Sequence, residues 1–261
     1  MREIYFMELS IVIPAHNEAG NIEPLVKEIH TALNGFFSYE IIYVDDGSTD
    51  TTLQELKKIQ SQYSLVQEEL SGMRIIHQQT TCGQSTALWT GIRVASADWI
   101  VTLDGDGQND PLDIPKLLAE IPSQFSQLQL ITGMRIRRHD HWVRRWSSKL
   151  ANAIRAYLLK DDTPDTGCGL KLIQREAFLA LPYFDHMHRF LPALIRRNGG
   201  TVKSVAVNHR PRIRGHSHYG IHNRLWVGMA DLLGVLWLQR RVRLPIITEI
   251  VKETTTHHDA Q

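Results

Sequence analysis

Apolar and polar positions along the first hundred residues fall into blocks that switch period. Leu9–Pro14 is apolar but for Ser10 and of strand length, and from Glu18 to Asn34 the residues Ile22, Leu25, Val26, Ile29 and Leu33 have helical spacing. The first pattern predicts a buried strand and the second one face of a helix. The exchange then repeats: Glu40–Val44 predicts a strand, Thr51–Gln60 a helix, Met73–His77 a strand, Gly83–Ala95 a helix and Trp99–Leu103 a strand. Strands alternating with helices predict an α/β fold, with a mostly parallel central sheet and helices on both faces.

The second half is less regular. His139 to Leu159 carries Trp142, Trp146, Leu150, Ile154 and Leu158 at four-residue spacing, with Arg144, Arg145, Lys149 and Arg155 around them. Two readings stand side by side: a core-facing helix with a basic back, or an interfacial helix with Trp at headgroup depth and cations at lipid phosphate. Leu225 to Leu238, followed by Arg240, Arg241 and Arg243, has the same character. It is interrupted by Asp231 and falls short of the ~20 apolar residues that span a bilayer. The expected organisation is an α/β domain over 1–225, an amphipathic helical segment over 226–251 and a disordered polar tail over 252–261.

With 261 residues, 43% of them hydrophobic and 22% charged, the chain can bury a sizeable core. Its net charge of +1 hides a split: residues 1–133 hold 7 Lys/Arg against 18 Asp/Glu, and residues 134–261 hold 22 against 10. Residues 186–230 contain eight Lys/Arg and no acid. Such a division predicts an acidic half that holds a cation and a basic half that meets anions. Two cysteines, Cys82 and Cys168, imply no disulfide framework and fit a reducing compartment. Met1-Arg2-Glu3 leads straight into strand pattern, so no N-terminal signal is expected.

The chemistry concentrates where Trp99–Leu103 ends. Asp104-Gly105-Asp106-Gly107-Gln108 sets two carboxylates one residue apart at the C-terminal edge of a strand, where open α/β sheets bind ligands. Adjacent acids repel unless a cation neutralises them. A hard dication holding a nucleotide diphosphate does so, because Mg²⁺ takes carboxylate, water and phosphate oxygens together. An EF-hand loop is excluded, since its sixth and twelfth places hold Asn109 and Pro115 instead of Gly and Glu. Pro14-Ala15-His16-Asn17-Glu18 and Asp45-Asp46-Gly47-Ser48-Thr49-Asp50 follow the first two strands onto the same edge. Three acidic or amide-rich loops meeting at one crevice form a site pattern. Asp50 is read as the cap of the following helix. His209, His216, His218 and His222 match no helical metal motif, and His257-His258 reads as a solvated end. The aromatic residues among the arginines are Trp at helical spacing and form no stacking platform, so nucleic acid is not an expected partner.

The ordered set Val12-Ile13-Pro14-Ala15-His16-Asn17-Glu18, Val44-Asp45-Asp46-Gly47-Ser48-Thr49-Asp50 and Leu103-Asp104-Gly105-Asp106-Gly107-Gln108 resembles the signatures of family-2 inverting glycosyltransferases with the GT-A fold. Gln108-Asn109-Asp110-Pro111, Gly133-Met134-Arg135, Asp165-Thr166-Gly167-Cys168-Gly169 and Arg212-Ile213-Arg214-Gly215-His216-Ser217-His218-Tyr219 are similar to the dolichyl- and polyprenyl-phosphate sugar synthases within it. The resemblance covers roughly residues 8–225. It implies donor-binding roles for Pro14, Ala15, Asn17, Glu18, Asp45, Asp46, Gln84 and Asp104. It implies metal and diphosphate binding by Asp104, Asp106 and Gln108, with Mg²⁺ or Mn²⁺ as cofactor. It implies acceptor-phosphate binding by Arg135, Arg144, Ser148, Arg212 and Ser217. Two positions depart from the pattern: Gly167-Cys168-Gly169 stands where the family often has Ser-Gly-Phe, and His218 where it often has Lys.

The expectation is a metal-assisted single displacement that moves a sugar from a nucleotide diphosphate to a polyprenyl phosphate. The protein is expected in the cytoplasm, peripheral at the inner face of an anionic membrane, held there directly or by an integral-membrane partner. A phosphomonoester is mostly dianionic near neutral pH and attacks without a base, whereas a sugar hydroxyl must lose a proton. Asp165 is accordingly either the catalytic base for a hydroxyl acceptor on polysaccharide or glycolipid, or a carboxylate that fixes its loop. A non-enzymatic module that binds a sugar nucleotide is the remaining alternative.

Overall fold

The computed structural model describes residues 8–33, 35, 37–66, 72–122, 126–136, 155–212 and 221–243. The strands and helices of the first half follow in the predicted order: β1 (Glu8–Ala15), α1 (Ile22–Leu33), β2 (Ser38–Asp46), α2 (Thr52–Val66), β3 (Arg74–Gln78), α3 (Gln84–Val94) and β4 (Trp99–Thr102). Short α4 (Ile114–Leu118), β5 (Leu128–Arg135), β6 (Lys171–Gln174), α5 (Arg175–Leu179), α6 (Leu191–Arg197), β7 (Thr201–Val207) and the long α7 (Ile221–Arg241) follow, with 3-10 turns at Pro111–Asp113 and Met187–Arg189. The stripe over His139–Leu159 lies outside the described residues up to Ile154, and residues 155–159 are helical.

Seven strands form one sheet in the order β3-β2-β1-β4-β6-β5-β7. β1 runs parallel to β2 and β4, β2 to β3, and β5 to β7. β6 alone is antiparallel to both neighbours, pairing Lys171 with Thr102 on one side and Thr132 on the other. The reversal has a consequence for the site. β6 starts at the edge where β4 and β5 end, so Asp165–Gly169 enters beside Asp104 and Arg135. The C-terminal ends of β1, β2, β4, β5 and β7 and the start of β6 therefore share one rim.

Alternate strand residues pack to opposite faces, as a two-residue period requires. Ile11, Ile13, Val101, Ile131 and Leu172 meet α1 and α4 through Ile22, Leu25, Ile29, Ile114 and Leu117. Val12, Ile100, Leu130 and Ile173 meet α3, α5 and α6 through Leu88, Ile92, Phe178, Leu191 and Leu194. Both layers are buried, which explains why the strands read as apolar runs with little alternation. Among the described residues no helix is long and apolar enough to cross a membrane.

Candidate active site

The first two rim loops clasp each other. Asn17 adopts φ 55, a conformation its short amide side chain tolerates. Its Oδ1 accepts from the amides of Thr49 at 2.8 Å and Asp50 at 3.3 Å, while its own amide donates to Ser48 Oγ at 3.0 Å. Asp50 accepts from the Thr52 amide at 2.9 Å at the start of α2. Asp45 is fully buried and turned inward, accepting from Ser48 N at 3.2 Å and lying 2.7 Å from His77 Nδ1. Asp46 accepts the amides of Cys82 at 2.6 Å and Gly83 at 2.9 Å, one on each carboxylate oxygen. Gly47 allows that approach: with φ +64, a Cβ on it would lie 2.6 Å from the Thr81 amide nitrogen. His16 Nδ1 sits 2.7 Å from the Asp46 carbonyl.

The third loop packs on the first. The Cβ position of Gly105 lies 3.0 Å from the Pro14 carbonyl and 3.5 Å from both Ala15 Cβ and Glu18 Cγ. Asp104 is held by Gln84, whose Nε2 donates to Oδ1 at 2.8 Å from the first turn of α3. Burial, and then the neighbouring Asp106, push the Asp104 carboxyl up to about 6, against the pull of Lys171, Arg135 and the Gln84 hydrogen bond. The other face of Asp104 lies against Gly169, where any Cβ would collide with the carboxylate. The residue that departs from the family pattern beside Cys168 thus shapes the seat of the first acid.

Asp106 is 9% exposed. Its Oδ1 accepts from Gln108 N at 3.0 Å and its Oδ2 from Arg212 at 2.8 Å. Arg212 also reaches Glu18 Oε1 at 3.5 Å. Burial raises the Glu18 carboxyl above its usual range, with Asp106 and Asp104 adding to the rise and Asn21 and Arg212 opposing it. The Gln108 side chain donates to the Arg210 carbonyl at 3.3 Å.

Arg135, at the end of β5, closes a two-point ion pair on Asp165: Nε to Oδ2 at 2.7 Å and NH2 to Oδ1 at 2.8 Å. Asp165 also accepts from Gly167 N at 3.3 Å. Arg144, Ser148 and Ser217 lie outside the described residues.

Several groups at the rim escaped the sequence reading. Lys171 is 4% exposed and donates to the Cys168 carbonyl. Burial lowers its pKa, while Cys168, Asp104 and Asp165 hold it up. A lysine inside the apolar run Leu170-Lys171-Leu172-Ile173 was the available signal. His188 stands 2.8 Å from Ser85 Oγ at the N-terminus of α3, and burial followed by Arg189 keeps it well below its ordinary pKa. The segment that follows β7 is fastened to the acidic loop after β4. Arg210 N donates to the Gln108 carbonyl at 2.9 Å, and the Arg210 guanidinium reaches Asp110 at 2.5 Å and Glu28 at 2.8 Å. Asn208 N donates to Asp113 at 2.5 Å, and Asn109 forms a lone bridge with His209. These partners are 95 to 182 residues apart, and nothing in local spacing announces them.

Among the described residues no three His, Cys, Asp or Glu side chains converge into a metal-binding group. The donors on offer are two carboxylates at the rim, Asp104 and Asp106. That set fits a hard dication that completes its shell with diphosphate and water oxygens, and does not fit a closed structural zinc site. Burial and then Asp106 raise Asp104, and a cation bound by the pair would relieve that repulsion.

A mixed sheet with paired acids at the rim and arginines opposite them has the architecture of GT-A sugar-nucleotide transferases. The Glycosyl transferase family 2 model matches residues 10–181, and the chain belongs to that family. It is 36% identical over 241 residues to the dodecaprenyl-phosphate galacturonate synthase of Rhizobium johnstonii, covering 90% of this chain and 68% of that protein. It is 28% identical over 214 residues to the undecaprenyl-phosphate 4-deoxy-4-formamido-L-arabinose transferase of Edwardsiella ictaluri, covering 82% and 63%. The chain thus spans about two thirds of these relatives' length. Among solved structures, the glucosyl-3-phosphoglycerate synthase of Mycobacterium tuberculosis with Mn²⁺, UDP-glucose and glycerol 3-phosphate superposes with a TM-score of 0.63 at 20% identity, covering 89% of this chain and 80% of that one. The same enzyme with Mg²⁺ and UDP gives 0.63 at 20% identity, with 89% and 79% covered. The fold is GT-A-like, and its structural neighbours bind a divalent metal with a uridine nucleotide.

Proposed function

We propose that this chain moves a sugar from a nucleotide diphosphate to a polyprenyl phosphate, with Mg²⁺ or Mn²⁺ held by Asp104 and Asp106, at a membrane surface. The observation that carries the choice of acceptor is the two-point Arg135–Asp165 pair. A carboxylate whose two oxygens both face a guanidinium is a poor proton acceptor, so Asp165 is ill suited to activate a hydroxyl. A phosphate dianion needs no base. It needs cationic positioning, and arginine offers the planar fork that matches phosphate. The names of the two polyprenyl-phosphate relatives point the same way.

The residues divide the work along the rim. Asp46 fixes the Cys82–Gly83 amides and so sets the first turn of α3, from which Gln84 orients Asp104. Pro14, Ala15, Asn17, Glu18, Asp45 and Asp46 form the donor side, Asp45 and Asn17 by holding the loops in place. Gln108 ties the acidic loop to Arg210. Arg135 and Arg212 border the acceptor side, with Arg144, Ser148 and Ser217 assigned there by sequence. Asp104 and Asp106 would hold the dication, which would supply charge neutralisation at the departing diphosphate. An acceptor phosphate oxygen bonds to the anomeric carbon from the side opposite the leaving group. The anomeric C–O bond breaks, and the nucleoside diphosphate leaves with the electron pair, inverting that carbon.

Membrane contact is supported by α7. Met229, Leu233 and Trp237 follow one another at four-residue steps and are exposed, and Arg240 and Arg241 follow on the same side. An apolar face ending in cations suits the headgroup boundary of an anionic bilayer. The test is a panel of nucleotide sugars incubated with membrane lipid extract and Mg²⁺ or Mn²⁺. A new lipid-extractable sugar phosphate, labile to mild acid and lost on chelation, supports the proposal. Sugar appearing only on hydroxyl acceptors refutes it.

A further inference from the structure

We infer that Arg212 is an exchangeable latch, shared between the metal carboxylate Asp106 and the acceptor phosphate, so that loading the metal releases the arginine that receives the acceptor. The inference rests on the proposed roles of Asp106 and Arg212. Both Asp106 oxygens are engaged: Oδ1 accepts the Gln108 amide at 3.0 Å and Oδ2 accepts Arg212 at 2.8 Å. The Gln108 bond is part of the loop itself. A dication that takes Oδ2 therefore competes with the guanidinium for that oxygen.

The rest of Arg212 is weakly anchored. Its only other ion pair among the described residues is the longer one to Glu18, at 3.5 Å. Its Nε is buried without a hydrogen-bond partner among the described residues. An unmet buried donor is costly and is relieved when the side chain moves to a new acceptor. The backbone two residues earlier stays where it is: Arg210 is bonded to Gln108 through both main-chain groups and paired with Asp110 and Glu28. The exchange is thus confined to the Arg212 side chain, at a rim that also carries Arg135. A cation at Asp106 repels the guanidinium, and an anionic acceptor attracts it. Each event favours the other, and linkage makes the coupling reciprocal. The acceptor phosphate is consequently bound more tightly when the metal is in place, and the metal when the acceptor is.

The test reads binding, not turnover. Mn²⁺ binding is titrated by electron paramagnetic resonance on the wild-type chain, Arg212→Gln, Arg212→Lys and Asp106→Asn, each checked by circular dichroism for retained fold. Removing the competitor in Arg212→Gln tightens Mn²⁺ roughly five- to tenfold, within the usual range of site coupling, and Arg212→Lys stays near wild type. Farnesyl phosphate, a short acceptor probe, binds the wild type more tightly with saturating Mn²⁺ than without, by a similar factor. That enhancement disappears in Arg212→Gln. If Asp106→Asn weakens Mn²⁺ but Arg212→Gln leaves it unchanged or weaker, the latch is overturned and the metal site stands. If Asp106→Asn leaves Mn²⁺ affinity unchanged, the metal reading falls and the latch with it. Farnesyl phosphate affinity indifferent to Mn²⁺ in the wild type also overturns the latch.

Discussion

Arg135 and Asp165 lie thirty residues apart in sequence and close a two-point ion pair at 2.7 and 2.8 Å, with side chains 17% and 6% exposed. Truncating one member of such a buried pair strands the other charge. Arg135→Ala is expected to lower unfolding free energy by about 3 kcal/mol, measured by urea denaturation. An unchanged midpoint and slope contradict this assignment.

Asp165→Asn separates the acceptor classes. With a phosphate acceptor the loss falls on stability and acceptor KM, because the loop and Arg135 lose their anchor, and the pH–kcat profile keeps its shape. A variant that folds normally and binds donor normally, yet has lost kcat by several orders of magnitude, indicates a base and hence a hydroxyl acceptor.

Asp104 makes stability depend on pH in a defined direction. Its carboxyl is pushed up to about 6, first by burial and then by Asp106, against an unfolded value near ~4. A raised acid means that the folded chain holds the proton more tightly than the unfolded one. Ionisation therefore costs stability above pH ~6, and the cost fades as pH falls toward ~4. Without added metal, Asp104→Asn is expected to raise the Tm by a few degrees at pH 7–8, roughly 2–4 °C per kcal/mol, with the gain vanishing near pH 4. A lower Tm in the variant at pH 8 refutes the assignment. Mn²⁺ affinity of the wild type falls as pH drops through 6, since the cation needs the ionised form.

Gly169→Ala tests the seat of Asp104. The added methyl meets the carboxylate, so Asp104 must turn away from its Gln84 partner. We expect metal-dependent donor binding to weaken at least tenfold by calorimetry, with secondary structure retained. Equal affinity shows that the seat is dispensable.

The α7 face makes the membrane prediction specific. Leu233→Glu and Trp237→Glu are expected to abolish flotation with vesicles containing anionic lipid, and Arg240→Glu with Arg241→Glu to weaken it in a salt-dependent way. Turnover on a water-soluble short-chain acceptor should persist in all of them. Flotation by Leu233→Glu at wild-type level removes α7 from the contact.

What the sequence determined by itself was the part governed by near neighbours. The strand and helix periods of residues 9–103 are local quantities, and every element they predicted is present, with α2 running six residues past the expected Gln60. The acids after β1, β2 and β4 were legible for the same reason: parallel strands joined by helices must end on one rim. The direction of β6 was not legible, because an apolar run reads alike both ways, and its reversal is what brings Gly169 and Asp165 beside Asp104 and Arg135. The pairings of Arg135 with Asp165, Arg212 with Asp106 and Arg210 with Asp110 likewise belong to the tertiary structure. Sequence supplied the arginines and the acids. Which arginine met which acid depended on how distant strand ends were placed in space, and a short-range pattern carries no record of that.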